Sequence, residues 1–304
     1  MKKTPPYLKK GDKVGIVCPA WKVDTDLRDA ARLLTAWGLE VVLGKTVHSS
    51  DRQYAGSDEL RAEDFQRMLD NDEIKAIFAA RGGYGCVRMI DRVNFAHFAL
   101  APKWIVGFSD VTVIHSHIHR NYGIPTIHGQ MPITIPDATK ESLLSLKETL
   151  FGKNPLYEYT SVHKNSPGEA EGIVIGGNLA LLVNVLGSVS DMDYDGKILF
   201  IEDVGEFYYA IDRMLWTLKR AGKLKNLKGL LVGGFTNLKD NKVPFGMTIE
   251  ALILDVVGEY GFPVAFEFPA GHIDNNYALI FGREARLNVR EHQVRLAYVD
   301  RGRP

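Results

Sequence analysis

Over about the first 130 residues, short apolar runs alternate with segments of helical period, and glycine, proline or serine marks most switches. Val14–Cys18, Leu39–Leu43, Lys75–Ala80, Trp104–Phe108 and Pro125–Gly129 read as strands. A helix opening at Thr25 or Asp26 puts Leu27, Ala30, Ala31 and Leu34 on one face and stops at Gly38. A second, opened by Ser57, buries Ala62, Phe65 and Leu69, and a shorter one follows Gly85 through Met89 and Ile90. Strands and helices alternating at this spacing mean βαβ units and a parallel sheet covered on both faces. Such a sheet binds its ligands along the carboxyl edge of its strands.

The pattern changes after an amphipathic helix from Thr139 to Phe151, stopped by Gly152. Residues 153–168 are polar, contain Pro155 and Pro167 and show no clear period, so they read as a connection between domains. Beyond them come a strand at Glu171–Ile175, a Gly176-Gly177-Asn178 turn and a short helix, Leu179 to Leu186. Lys197–Ile201 is a strand that delivers Glu202-Asp203, and a helix follows from about Glu206 to Ala221. Leu230–Val232 is a strand and Ile249 to Tyr260 a helix. Val264–Phe268, Tyr277–Phe281, Ala285–Val289 and Gln293–Leu296 close the chain as strands. The expected fold class is α/β. A parallel-sheet domain spans 1–152, a connection 153–168, and a mixed, strand-rich domain 169–304, with any site in the cleft between the two.

Lys+Arg and Asp+Glu stand at 37 each among 304 residues, so no basic field argues for nucleic acid or an anionic membrane. The two cysteines, Cys18 and Cys86, suit a reducing compartment and give no metal-ligand spacing. Lys2 and Lys3 are not followed by an apolar stretch, and no apolar run reaches membrane-spanning length. A cytoplasmic location is expected.

The most informative stretch is Lys103–Thr112. A buried strand stops at Gly107-Phe108, Ser109 sits in a sharp turn, and a helix begins near Val111. Ser109 then has its hydroxyl at the carboxyl edge of the sheet and its backbone N–H at a helix start, which together suit an acyl-transfer nucleophile. On this stretch alone, Ser109 or Asp110 reads more readily as a helix cap. Arg81-Gly82-Gly83-Tyr84-Gly85 leaves the same edge and lacks the spacing of a dinucleotide or P-loop motif. Glu202 follows a mostly apolar strand and would be partly desolvated; Asp203 and Glu206 are its neighbours, and any of the three could simply charge the next helix start. His272 lies in the loop Pro269–Asp274. His115, His117 and His119 alternate on a helix, share no face, and make a poor metal site. Serine, glutamate and histidine in that order suggest a triad. The G-x-S-x-G elbow of α/β-hydrolases is nevertheless missing, because Val111 stands at the second glycine.

Arg81-Gly82-Gly83-Tyr84-Gly85, Gly107-Phe108-Ser109-Asp110, Gly176-Gly177-Asn178-Leu179, Ile201-Glu202-Asp203 and Ala270-Gly271-His272 occur in an order that resembles the LD-carboxypeptidases. These are the serine peptidases that include muramoyltetrapeptide carboxypeptidases and microcin C self-immunity proteins. The resemblance runs from Gly11 to about Leu296 and implies a Ser109–His272–Glu202 triad, with the N–H groups of Gly83 and Asp110 as the oxyanion hole. It implies a homodimer, no metal or cofactor, and removal of the terminal D-alanine from murein tetrapeptides during cell-wall recycling. A carboxypeptidase must also bind the terminal carboxylate. Gly82, Gly83, Asn178 and Arg81 are the candidate donors.

Two other readings remain. One is a microcin C-type immunity peptidase, although the chain shows no obvious aromatic-bearing loop for a nucleobase. Trp21, Trp37, Trp104 and Trp216 fall where core packing or strand ends explain them. The other is a non-enzymatic small-ligand binder, which would need neither Glu202 nor His272 near Ser109.

Overall fold

The alternating half of the chain forms one sheet in the computed structural model, which describes residues 4–299. Strands β1 (Lys13–Val17), β2 (Glu40–Leu43), β3 (Ile74–Ala79), β4 (Trp104–Val106) and β5 (Thr126–His128) are all parallel. They lie in the order β5-β4-β3-β1-β2. Helices α1 (Arg28–Ala36), α2 (Asp58–Asp70), α3 (Cys86–Met89), α4 (Ala96–Leu100) and α5 (Thr112–Tyr122) make the crossovers. Local chemistry sets their starts. Ser57 accepts the Leu60 N–H to open α2, and Asp26 accepts the Arg28 N–H at the start of α1. Helix α6 (Lys140–Leu150) opens on Thr139 in the same way.

A second sheet holds β6 (Leu156–Thr160), β7 (Gly168–Asn178), β8 (Lys197–Val204), β9 (Gly229–Thr236) and β10 (Val264–Ala265). Helices α7 (Leu179–Asn184), α8 (Tyr208–Arg220) and α9 (Ile249–Val257) connect its parallel strands. Of the last three strands, β11 (Leu279–Phe281), β12 (Glu284–Val289) and β13 (Gln293–Tyr298), the final two complete this sheet. Its order is β10-β9-β8-β7-β12-β13-β6, parallel from β10 to β7 and antiparallel beyond. One apolar cluster draws on both sheets, with Val14, Trp104 and Ile127 of the first and Phe200 and Leu231 of the second.

Several local expectations differ from the structure, each for a physical reason. The stretch 153–168 read as a bare connection, yet its Leu156–Thr160 segment pairs with β13 as an edge strand, where only alternate side chains need burial. Leu279–Phe281 read as part of the second domain, but it pairs antiparallel with β5 and closes the edge of the first sheet. Gly176-Gly177-Asn178 read as a turn and is instead the end of β7. Both glycines sit at φ +141°, because a Cβ would run into the Phe200 carbonyl at Gly176 and into the Thr112 hydroxyl at Gly177. The strand expected over Val264–Phe268 stops at Ala265, since Glu267 turns to φ +58°. Trp37 and Trp104 are buried, whereas Trp216 is 41% exposed under the Lys219 ammonium.

These close approaches make a stability prediction. Gly176→Ala should destabilise the protein by about 3 kcal/mol, because β7 and β8 cannot separate without breaking their ladder. Thermal unfolding of the variant should fall by several degrees, and an unchanged Tm would show that the strands can part.

Candidate active site

Strand β4 leaves the sheet through Gly107 and Phe108, and Ser109 takes φ +64°, a left-handed conformation that only glycine adopts freely. Such strain persists only where its surroundings over-determine it. Gly82 supplies part of that constraint. A Cβ there would stand 2.7 Å from Ser109 Cβ and 2.9 Å from its Oγ, so the glycine turn presses directly on the serine. A 3₁₀ turn, Ser109–Val111, then feeds α5, and no side chain caps it. Asp110 is spent elsewhere, since its buried carboxylate accepts the Cys86 N–H at 2.8 Å and so ties the start of α3 to this turn. Burial, the largest influence, raises the Asp110 pKa despite that bond.

Glu202 ends the apolar run of β8 and is fully buried. The loop after Phe268 brings His272 to it through Gly271 at φ +114°. A Cβ on Gly271 would lie 2.8 Å from Glu202 Cβ, so a larger residue would hold the loop away. Asn276 fastens the loop from behind, its Oδ1 accepting both the Gly271 N–H at 2.9 Å and the His128 ring N–H at 3.1 Å. Thr236 donates to the His272 carbonyl, and the Gly234 N–H to that of Ala270. Gln130, from the first half of the chain, donates to the Asp274 carbonyl. Phe108 meets the imidazole edge-on at 4.9 Å between centroids.

His272 Nδ1 lies 2.6 Å from Glu202 Oε2, and Nε2 lies 3.1 Å from Ser109 Oγ. The carboxylate accepts, so Nδ1 carries the proton and the Nε2 lone pair faces the serine hydroxyl. Burial is the largest influence on the imidazole and works to lower its pKa. The Glu202 charge and hydrogen bond, with the Asp203 charge, outweigh it, and the pKa is raised.

The other expected site residues fare differently. Asp203 faces away from the histidine and accepts from Asn178 Nδ2, Ala180 N–H and Val204 N–H. Burial, then the Glu202 charge, pushes its pKa up to about 6. Asn178 is itself buried. Its Oδ1 caps α7 through the Leu181 N–H, and one of the two Nδ2 hydrogens holds Asp203. Gly82 adjoins Ser109, Gly83 packs on Trp21, and Arg81 donates to the Lys22 carbonyl while its guanidinium lies over the Trp21 ring at 5.1 Å. Glu206 precedes α8 and takes no hydrogen bond from His272. His115 and His117 go to separate partners, Gly107 O and Ser190 Oγ, and no metal-ligating group of three exists among the described residues. Sequence reasoning missed Asn276, Thr236 and Phe108, whose roles come from distant contacts; only the strand-end position of Phe108 offered a signal.

The balance at His272 is testable without an assay. In Glu202→Gln the larger of the charges that raise its pKa is gone while burial remains, so NMR titration of the imidazole should give a lower value than in the unsubstituted protein. An unchanged pKa would mean that Glu202 does not govern the ring.

Comparison with known proteins identifies the family. Residues 14–129 match the LD-carboxypeptidase N-terminal domain and 171–287 the LD-carboxypeptidase C-terminal domain. A Bacillus subtilis (strain 168) protein named "Probable murein peptide carboxypeptidase" is 38% identical over 295 residues, covering 94% of this chain and 92% of its own. The crystal structure of muramoyltetrapeptide carboxypeptidase from Oxalobacter formigenes superposes with a TM-score of 0.86 at 29% identity, covering 95% of this chain and 99% of that one. An MccF-like protein from Bacillus anthracis str. Ames shares the fold, with a TM-score of 0.85 at 21% identity over 98% of this chain and 100% of that one. The chain is therefore a carboxypeptidase that belongs to the LD-carboxypeptidase family.

Proposed function

We propose that the protein is a serine LD-carboxypeptidase that removes the terminal D-alanine from murein tetrapeptides, acting in the cytoplasm as a homodimer during cell-wall recycling. One observation carries the reading. A strained serine in a turn, a histidine on a loop and a buried glutamate on strand β8 line up at 3.1 and 2.6 Å. The names of the Bacillus and Oxalobacter relatives support the substrate. The likeness to the MccF-like protein supports the fold alone, so it does not favour a microcin-type substrate.

The chemistry follows from the geometry. His272 Nε2 takes the Ser109 proton as Oγ attacks the carbonyl carbon of the bond to D-alanine. The tetrahedral oxyanion is met by the N–H groups of Gly83 and Asp110, which flank the contact between Gly82 and Ser109. Collapse breaks the C–N bond, and the imidazolium returns its proton to the leaving amine. Water, deprotonated by the same nitrogen, then hydrolyses the acyl-enzyme and regenerates Ser109. Glu202 holds the tautomer and offsets the imidazolium charge. The nucleophile belongs to the 1–152 half and the other two members to 169–304, with 153–168 as both connection and edge strand. Arg81, the Gly82 backbone and the second Nδ2 hydrogen of Asn178 are the donors for the substrate carboxylate.

Ser109→Ala and His272→Ala should each remove about four orders of magnitude or more of kcat, and the double variant little further. Glu202→Gln should cost roughly two to four orders. A milder loss than in Asp203→Asn or Glu206→Gln would move the acid elsewhere. The reaction needs neutral imidazole, so kcat/KM should rise with pH through an apparent pKa above 6.5 and then level off. A limb well below that value would contradict the raised pKa.

Substrate choice is checked by comparing the tetrapeptide free acid with its terminal amide and its L-alanine diastereomer. Only the free D-terminal acid should be cut efficiently, because the other two leave buried donors unpaired. Equal rates on all three would point to a general peptidase.

A further inference from the structure

We propose that Trp21 is a positioning residue for the reaction, its indole holding the Gly82-Gly83 turn against Ser109 so that the Gly83 N–H stays aimed at the oxyanion. This rests on the triad and oxyanion reading given above. The turn is gripped from two sides. On one side Gly82 touches Ser109, with the position of a Gly82 Cβ 3.3 Å from Asp110 N. On the other, Gly83 lies beneath the indole. A Cβ on Gly83, at φ +104°, would stand 2.5 Å from Trp21 Cγ and Cδ2 and 2.9 Å from Cε3. The turn cannot back away from Ser109 without displacing that ring.

Trp21 is in turn hard to displace. Its backbone N–H reaches the Gly82 carbonyl at 3.4 Å, and the neighbouring backbone pairs with the 53–55 segment through Lys22 N–H to Gln53 O and Ala55 N–H to Ala20 O. Arg81 lies over the ring and donates to the Lys22 carbonyl. Arg61, fully buried and paired with Asp58, donates from one nitrogen to both the Pro19 and the Gly85 carbonyls, at 2.6 and 2.8 Å. The exits of β1 and β3 are thereby tied into one block whose indole bears on Gly83.

The plain alternative is that Trp21 only packs. A buried tryptophan that packs for stability usually finds an acceptor for its N–H. Trp21 Nε1 is buried and has none among the described residues, so the ring is placed by its face and not by its polar end. An oxyanion donor acts only when held in place beforehand, and a displacement near 1 Å is costly.

The test is steady-state release of D-alanine from L-Ala-γ-D-Glu-meso-diaminopimelyl-D-Ala by the full-length protein, with thermal unfolding measured in parallel. Trp21→Ala should lower kcat about 10- to 100-fold with a smaller rise in KM, since the main loss belongs to the transition state and Arg81, which lies over the same ring, bears on the substrate carboxylate. Trp21→Phe, which keeps a flat ring over Gly83, should recover most of kcat. If Trp21→Ala does not fold, Trp21→Leu, which fills space without a planar face, takes its place with the same expectation. A rise in KM at unchanged kcat would make Trp21 a wall of the substrate cleft and overturn the proposal. So would an unchanged kcat, or a Trp21→Phe variant as slow as Trp21→Ala. Ser109→Ala in the same assay separates the two levels. Activity surviving in Ser109→Ala defeats the underlying mechanism, whereas its loss beside an unaffected Trp21→Ala defeats this inference alone.

Discussion

The arrangement depends on a buried carboxylate. Glu202 sits at the end of β8 with no exposure, and an ionised group there is tolerable only against a hydrogen-bonded partner of complementary charge. His272 meets Oε2, while Oε1 has no partner among the described residues. The loop that carries His272 must therefore close tightly over Glu202, which explains why Gly271 stands where any Cβ would collide with it. The same closure raises the imidazole pKa against the opposing effect of burial. A structural demand and a chemical property thus come from one contact.

A second constraint is where the two sheets meet. Ser109 leaves the carboxyl edge of one parallel set and Glu202 that of the other, and each set would bind a ligand at that edge by itself. Thr112, on α5 just after Ser109, accepts the Asn178 N–H at the end of β7. Gly177 packs on the same Thr112 side chain. Strand β11 then stitches the last part of the chain onto β5. These ties hold the strained serine at hydrogen-bonding distance from a histidine 163 residues away in sequence.

Legibility in the sequence follows from how local each cause is. Ser109, Glu202 and His272 were readable because each ends an apolar run or lies beside a glycine, and those signals sit within a few residues. Asn178 has a structural share that its local sequence does not reveal. A polar side chain after two glycines looks wholly available, and the partner that takes one of its amide hydrogens, Asp203, is brought alongside only by the pairing of β7 with β8. Leu156–Thr160 was hidden because an edge strand with one buried face needs little hydrophobic sequence. Trp21 looked like a strand-end residue, and its contact with Gly83 spans two separate crossovers.

By itself, then, the sequence determined the alternation of elements, the parallel sheet and the three side chains at the element ends, because periodicity, caps and glycine stops act over a single turn or strand. Tertiary structure decided which sheet Leu279–Phe281 joins, which polar groups are already satisfied, and how closely the turns at Gly82, Gly83 and Gly271 press on their neighbours. Those outcomes depend on distances between segments far apart in the chain. They are set by where backbone hydrogen bonds and buried volume can be satisfied at the same time.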